Sequence, residues 1–291
     1  MSRANEIKQH LKGVEQTRQI TNAMYLLSTS RMKKSMENID FNLLYLKNLR
    51  TAINNVITTA ANNNLRNKFT EDNGLGSAVV VVVTSDKGLC GGYNSAVAEK
   101  AFEELKRHKS PAVISLGLIG DEIFKSKGIP VLHSWYGASQ HPTRRLAAQV
   151  AGRLIPLYLT DDYHEIYIVY TEYVNSAVQR PVCRRLLPLL EEDFGDIVRE
   201  AGAGESQPIF EPSARVVFDY LVTQYVTGFM YDVFMQSATS ENIARMTAMQ
   251  NATRNADEMI KHLSEQLNAE RQLQITNEIT EISAAAELNG V

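Results

Sequence analysis

Ala244-Arg245-Met246-Thr247-Ala248-Met249-Gln250-Asn251-Ala252-Thr253-Arg254-Asn255-Ala256 lies in the middle of a stretch, Ser213 to Ala286, that holds no proline and one glycine, Gly228. Pro212 stands before the stretch, where a helix can begin, and Gly290 stands past its end, where a helix can stop. About 74 helical residues at roughly 1.5 Å of rise each predict a rod on the order of 110 Å. Met246, Met249, Thr253, Ala256, Ile260, Leu263 and Leu267 recur at alternating steps of three and four, the heptad seam of a coiled coil. A helix of that length cannot bury its seam against itself and needs a partner helix. The seam is rich in Met, Ala and Thr rather than Leu and Ile, which makes a thin, adaptable contact. It loses phase near its end: Arg271 stands where a hydrophobe is due, and the next apolar residues are Ile275, Ile279 and Ile282. The last turns are therefore expected to face something other than the same stripe.

The partner is found at the other end of the chain. Up to Asn73 the sequence has no proline, and Gly13 is its one glycine. Ile7, Leu11, Val14, Thr17, Ile20, Met24 and Leu27 step by three or four, as do Leu46, Leu49, Ile53 and Val56. A second long helix is predicted from about Arg3 to about Ala60, with a bend in the polar stretch Ser28 to Asn38. Asn62-Asn63-Asn64 and Glu71-Asp72-Asn73-Gly74 have loop chemistry. The two helices are expected to pair antiparallel within one chain, leaving the end of the longer one projecting alone.

Between the helices the pattern changes. Ala78 to Thr84 is a continuous β-branched run, as in a strand buried on both faces. Helical segments are predicted at Asn94–Arg107, Asp121–Lys127 and Thr143–Tyr158. Strands are predicted at Ala112–Ile119, around Val131-Leu132, at Glu165–Tyr173 and at Ala177–Leu187, the last two antiparallel across Asn175-Ser176. Alternating strands and helices imply an α/β layer with a mainly parallel sheet. Glu191 to Pro208 is acidic and glycine-bearing and is expected to be a surface loop. The chain thus divides into an N-terminal coiled-coil helix at 1–60, a central α/β domain at 75–210 and a C-terminal coiled-coil helix at 212–288.

Composition narrows the function. A hydrophobic share of 44% suffices for a packed core. A net charge of −3 favours neither a nucleic-acid binder nor a membrane-surface protein. Ala78 to Val83 is the longest compact apolar run and is strand-sized, far short of a bilayer span. Met1-Ser2-Arg3-Ala4-Asn5-Glu6 has no apolar segment behind a basic one, which predicts no secretory signal. Cys90 and Cys183 make no disulfide framework, and a reducing compartment is the simplest expectation.

Thr84-Ser85-Asp86-Lys87-Gly88-Leu89-Cys90-Gly91-Gly92-Tyr93-Asn94 is the most pointed local motif. It follows a strand and precedes a helix, where a phosphate-binding loop would sit. Its glycine spacing is not that of a dinucleotide fingerprint, and it lacks the Gly-Lys-Ser/Thr end of a P-loop, so a tight strand-to-helix turn is the better account. Cys90 has no histidine near it in sequence. His10, His108, His133, His141, His164 and His262 form no short-spaced metal signature. Glu103-Glu104, Asp161-Asp162 and Glu191-Glu192-Asp193 lie in polar settings, as solvated surface does, and Glu278 and Glu281 lack a partner acid or base. Arg31, Lys33 and Lys34 suit a charged helix face against a protein partner. No catalytic, cofactor or metal residues are assigned.

Several segments together resemble one family. Ile20-Thr21-Asn22-Ala23-Met24 with Ser28-Thr29-Ser30-Arg31-Met32, the Thr84–Asn94 turn, and Phe210-Glu211-Pro212 are similar to the gamma subunits of F-type ATP synthases. So are Ser240-Glu241, Ala244-Arg245-Met246, Ala248-Met249, Asn251-Ala252-Thr253 and Asn255-Ala256. Arg271-Gln272 and Ile275-Thr276-Asn277-Glu278-Ile279-Thr280-Glu281-Ile282 match its C-terminal signature. The chain departs from the family at Tyr25, where Lys or Glu is usual, at Arg31, where Lys is usual, and at Ala285-Ala286, where Gly-Ala is usual. The last change favours a straighter final helix. The cysteine-bearing insertion of the chloroplast form is missing.

The resemblance implies a long antiparallel two-helix coiled coil carrying an inserted, Rossmann-like α/β domain. It implies a non-catalytic rotor that transmits torque between a ring of membrane c subunits and a hexamer of alpha and beta subunits, coupled to protons or sodium ions. The implied partners are the alpha, beta and epsilon subunits and the c ring, with no nucleic acid, no cofactor and no homo-oligomer. The implied contacts with the alpha/beta hexamer are Met24, Arg31, Arg245, Met246, Arg271, Gln272, Ile275, Thr276, Glu278 and Glu281. The implied location is the cytoplasmic face of a prokaryotic cell inner membrane, as a peripheral protein. The alternatives are a nucleotide-responsive α/β sensor with a coiled-coil output arm, which requires phosphate binding at Gly88–Asn94, and a coiled-coil scaffold, which requires homodimerisation.

Overall fold

The computed structural model describes residues 3–37, 39–60, 67–70, 76–160, 162–194 and 210–288. Two compact units arise, one drawn from residues 1–29 and 245–291 and the other from residues 30–244. The predicted loops at 62–64 and 71–74, Asp161, and most of the predicted loop at 191–208 lie outside the described residues. Glu191–Phe194 forms a short 3-10 turn.

The first unit is a pair of helical segments. They come from α1 (Arg3–Met36) and α6 (Ala214–Leu288). The pairing is antiparallel: Arg3 Nε lies 4.0 Å from Glu270, Arg18 pairs with Asp257, and the Thr21 and Thr253 hydroxyls are 2.8 Å apart. On α6 the predicted seam is the inner face, with Met249, Ala256 and Leu263 buried and Met246, Thr253, Ile260 and Leu267 half-buried between them. On α1 the expectation holds for Ile7, Leu11, Val14 and Met24 but fails for Thr17, Ile20 and Leu27. Thr17 is exposed, Ile20 is 61% exposed and Leu27 52%, whereas Thr21 and Ser28 are buried. The reason is steric and polar together. The Thr21 and Thr253 hydroxyls meet across the seam, so small hydroxyl residues take the inner positions and the neighbouring aliphatic residues turn out.

The phase change after Leu267 is also narrower than its apolar pattern suggests. Glu270 and Gln274 carry the half-buried face onward by the same three-four steps, and every residue from 275 to 285 is exposed.

The second unit holds the rest. The predicted bend falls between α1, which ends at Met36, and α2 (Ile39–Ala60). Between α2 and α6 come β1 (Ala78–Val83), α3 (Tyr93–Leu105), β2 (Ala112–Leu116), α4 (Leu118–Ser126), β3 (Val131–Trp135), α5 (Arg144–Leu159), β4 (Glu165–Tyr173) and β5 (Gln179–Leu187). The sheet order is β3-β2-β1-β4-β5, parallel except for β5, which pairs antiparallel with β4 in register Val169 with Cys183. This is the expected mainly parallel layer, and β1 is central and wholly buried because both of its faces are covered. Val79, Val81 and Val83 face a core shared with α5, α2 and the start of α6, including Leu154, Ile53, Phe218 and Phe234. Val80 and Val82 face Val97 and Ala101 of α3 and Phe124 of α4. Helix α5 starts where Thr143 accepts the Leu146 amide at 3.2 Å, an N-cap of the expected chemistry.

Within this unit α2 and α6 pack closely at Gly228. A Cβ there would lie 3.1 Å from both Leu46 Cδ2 and Tyr45 Cε1. Leu46, Leu49, Ile53 and Val56 are buried on α2, as their spacing predicts. At Gly152 on α5, by contrast, an added Cβ meets nothing within 4 Å. Gly228→Leu should therefore lower stability by about 1–3 kcal/mol through overpacking, while Gly152→Ala should raise it by up to about 1 kcal/mol through helix propensity. Chemical denaturation of the two variants checks the pair. Equal effects would show that the α2–α6 approach is not tight.

Candidate functional site

No metal-ligating group of three or more His, Cys, Asp or Glu occurs among the described residues, and the chemistry-bearing positions fall into three sets. The first set lies on the paired helices of the first unit. Met24 and Met246 are half-buried beside the seam. Arg271, Gln272, Ile275, Thr276, Glu278 and Glu281 are all exposed, on a part of α6 with its side chains in solvent. Ile279 and Ile282 continue that surface, at 59% and 70% exposure. Arg245 differs, being 8% exposed and turned into the protein. Arg31, in the second unit, is half-buried next to exposed Lys33 and Lys34. The structure thus brings the C-terminal group together on one helix and does not gather Arg245 with it on the surface.

The second set is a belt on α6 in the second unit. Every residue from 232 to 243 is buried, and many are polar: Asp232, Gln236, Ser237, Thr239, Ser240, Glu241 and Asn242. A helix buried on all sides is normally apolar throughout, and here hydrogen bonds on both flanks satisfy part of the polar content. From the helix side, Asn42 Nδ2 donates to the Gly228 carbonyl at 3.2 Å and to Asp232 Oδ1 at 3.4 Å. From the sheet side, Tyr93 Oη donates to the Ser237 carbonyl at 3.4 Å. The Tyr173 amide donates to Gln236 Oε1 at 3.3 Å, and Ser240 Oγ donates to the Thr171 carbonyl at 3.4 Å. Gln236 Nε2 donates to Asp232 Oδ2 at 2.5 Å. Burial pushes the Asp232 carboxyl above its ordinary range, and the Gln236 and Asn42 donors offset part of that rise. Burial, then the charge of Glu241, pushes the Tyr93 phenol well above its own.

Sequence reasoning missed this belt. Its partner Asn42 is found by a spacing of seven: Thr21, Ser28, Ser35, Asn42, Leu49 and Val56 are all buried. The first four are small or polar, so a search for apolar periodicity passes over them.

The third set is the Thr84–Asn94 turn, which is built as a structural knot. Asn94 Oδ1 accepts from the Ser85 amide at 2.9 Å, and Asn94 Nδ2 donates to Cys90 Sγ at 3.2 Å. Asp86 accepts from the Leu118 amide at 3.2 Å, the Gly137 amide at 2.8 Å and Gln140 Nε2 at 3.1 Å. One carboxylate therefore ties together the loops that follow β1, β2 and β3. Gly117, at φ 119°, lets the second loop pass against Thr84, whose carbonyl a side chain there would strike. Cys90 and Ser85 are buried inside the turn. These contacts fill the role of a tight strand-to-helix turn.

Comparison with known proteins agrees over nearly the whole chain. The ATP synthase family model matches residues 3–288. The ATP synthase gamma chain of Caldicellulosiruptor saccharolyticus is 34% identical over 284 residues, covering 96% of each chain. That of Caldanaerobacter subterraneus subsp. tengcongensis is 35% identical, covering 97% of this chain and 99% of the relative. Among solved structures, a chain of the Euglena gracilis mitochondrial ATP synthase (OSCP/F1/c-ring, rotational state 3) matches with TM-score 0.65 at 17% identity, covering 99% of this chain and 96% of that one. A chain from the central stalk/c-ring of the Tetrahymena thermophila mitochondrial ATP synthase matches with TM-score 0.57 at 20% identity, covering 80% and 99%. These likenesses support the fold, while the sequence relatives carry the family.

The raised carboxyl of Asp232 has a signed consequence. A folded-state pKa above the unfolded one means that the native protein holds the proton over a window where the unfolded chain releases it. Stability from this group is then fully present below the unfolded value, roughly pH 4, and falls as pH rises through the folded value. Asp232→Asn should remove that loss. The thermal midpoint of the variant minus that of the parent should become more positive between about pH 4.5 and 7.5. A flat or falling difference would contradict the burial of this charge.

Proposed function

The chain belongs to the ATP synthase gamma-chain family, the non-catalytic central-stalk rotor component of that enzyme, and we propose that it acts there as a torque shaft between a membrane c ring and a hexamer of alpha and beta subunits. No helix among the described residues is long and apolar enough to cross a membrane. As a member of that family, the chain is proposed to work as a peripheral subunit on the cytoplasmic face of the cell inner membrane, with the epsilon subunit as a further partner and with protons or sodium ions as the driving species. The functional division is a shaft made by residues 1–60 and 212–288, with the domain at 75–210 carried on it.

One observation carries this reading: the residues from 275 to 285 are all exposed, yet Ile275, Ile279 and Ile282 lie within a turn or two of one another on that helix. Leaving large aliphatic side chains in water forgoes roughly 1.5–3 kcal/mol each relative to full burial. The stripe is explained if the alpha and beta subunits surround it. Such a contact has to slide, so an apolar bearing suits it better than fixed ion pairs. Arg271, Gln272, Thr276, Glu278 and Glu281 rim the bearing. Met24 and Met246 lie below it on the paired segment, where the helices have mutual support and serve as the lever. Arg31 belongs with Lys33 and Lys34 on the basic face toward a beta subunit, and Arg245, being buried, acts on the hexamer through the packing of the pair.

Two truncations test the division of labour in single-molecule rotation of the assembled complex. Removing Glu287 to Val291 should leave torque unchanged. Removing everything from Gln272 should weaken assembly and lower torque while directed rotation persists, because the lever remains. A stall after the short truncation, or full torque and assembly after the long one, would refute the bearing.

A further inference from the structure

Arg144 is the first residue of α5, and its guanidinium carbon lies 5.2 Å from the ring centre of Tyr45 on α2 and 5.6 Å from that of Tyr231 on α6. Both distances fall within the ~6 Å over which a cation is drawn to an aromatic face. Each participant is held in place by its own surroundings. The Thr143 cap fixes the backbone at the start of α5. Tyr45 donates to Gln224 Oε1 at 3.5 Å, and its ring edge lies at the Gly228 gap. Tyr231 packs against the core shared by the sheet, α2, α5 and α6. One side chain of the α/β layer thus engages both helices at once. A planar guanidinium can lie against two rings, whereas an ammonium is a single point charge.

The position along α6 matters as much as the contact. Hydrogen bonds with Tyr173, Tyr93 and Thr171 meet α6 at Gln236, Ser237 and Ser240. Tyr231 lies roughly 13 Å of helix before Ser240. Apolar packing from Phe218 to Phe234 holds α6 against the sheet and α5 without direction, whereas two oriented attachments separated along the axis also resist twisting of one body on the other. We propose that Arg144 is a positioning residue of the rotor, clamping the start of α5 to α2 and α6 so that the α/β layer turns with the helices under load. This rests on the torque-shaft function.

Arg144 is exposed, so its attraction to the rings competes with water, and its loss should barely move thermal stability. The effect should appear under load. The experiment measures ions pumped per ATP hydrolysed by the assembled complex in membrane vesicles, for the parent, R144A, R144K, Y231L and R144A/Y231L, together with each thermal midpoint. Expected are a ratio at least twofold lower in R144A and in Y231L, no further fall in the double variant, an intermediate ratio in R144K, and a midpoint for R144A matching the parent. A parental ratio in R144A, or effects of R144A and Y231L that multiply, overturns the proposal. Should R144A fail to assemble, R144K decides: a ratio below the parent supports the clamp and a parental ratio overturns it. A parent complex that hydrolyses ATP without pumping refutes the torque-shaft function itself, and the clamp with it.

Discussion

Helix α6 must satisfy two partners at once, and most of the structure follows from that constraint. Between 232 and 243 no side of the helix reaches solvent. An all-apolar helix would bury well there but would specify neither its angular setting nor its axial position. Polar groups with hydrogen-bond partners on both flanks do specify them, since each mismatch strands a buried donor or acceptor at about 1–3 kcal/mol. Asn42 from one side and Tyr93, Thr171 and Tyr173 from the other are the groups that set α6 in place. Gly228 allows the α2 approach that brings Asn42 within reach.

In the paired segment of the first unit the usual distribution of polarity is partly inverted. Thr21 and Ser28 lie inside, while Ile20, Leu26 and Leu27 are exposed. Small inner residues bring two helices close over a narrow seam, and exposed aliphatic residues on the same helix mark a surface made to be covered by something else. The same holds for Leu273, Ile275, Ile279 and Ile282 on α6. The torque shaft proposed above has this need: cohesion from a narrow seam, and an apolar exterior that can slide.

Much of this is legible in the amino-acid sequence, and the exceptions share a cause. The valine run of β1, the Glu165–Tyr173 strand and the α6 seam were all readable because a single neighbour buries each face. Ile20 and Leu27 misled because periodicity reports that a side chain leaves water, not which chain covers it. The sevenfold row from Thr21 through Asn42 escaped because its members are polar and their burial depends on partners more than 180 residues away, such as Gly228. Asp86 and Arg144 each join three elements that are distant in sequence, and no local pattern announces such a junction. At Arg271–Ile282 the loss of phase and the isoleucine stripe were legible, but the polar contact residues among them came only from family resemblance, since exposed polar side chains leave no periodic pattern.

The central claim is that the N- and C-terminal segments turn as one body. Thr21 and Thr253 offer the most direct test, because their hydroxyls meet at 2.8 Å across the seam. Replacing both with cysteine and oxidising the assembled complex should link the two helices covalently. Single-molecule rotation driven by ATP should then keep its torque and speed, and reduction should change nothing. A complex that stalls when linked and recovers when reduced would show that the helices move against each other during the cycle, and would contradict the account.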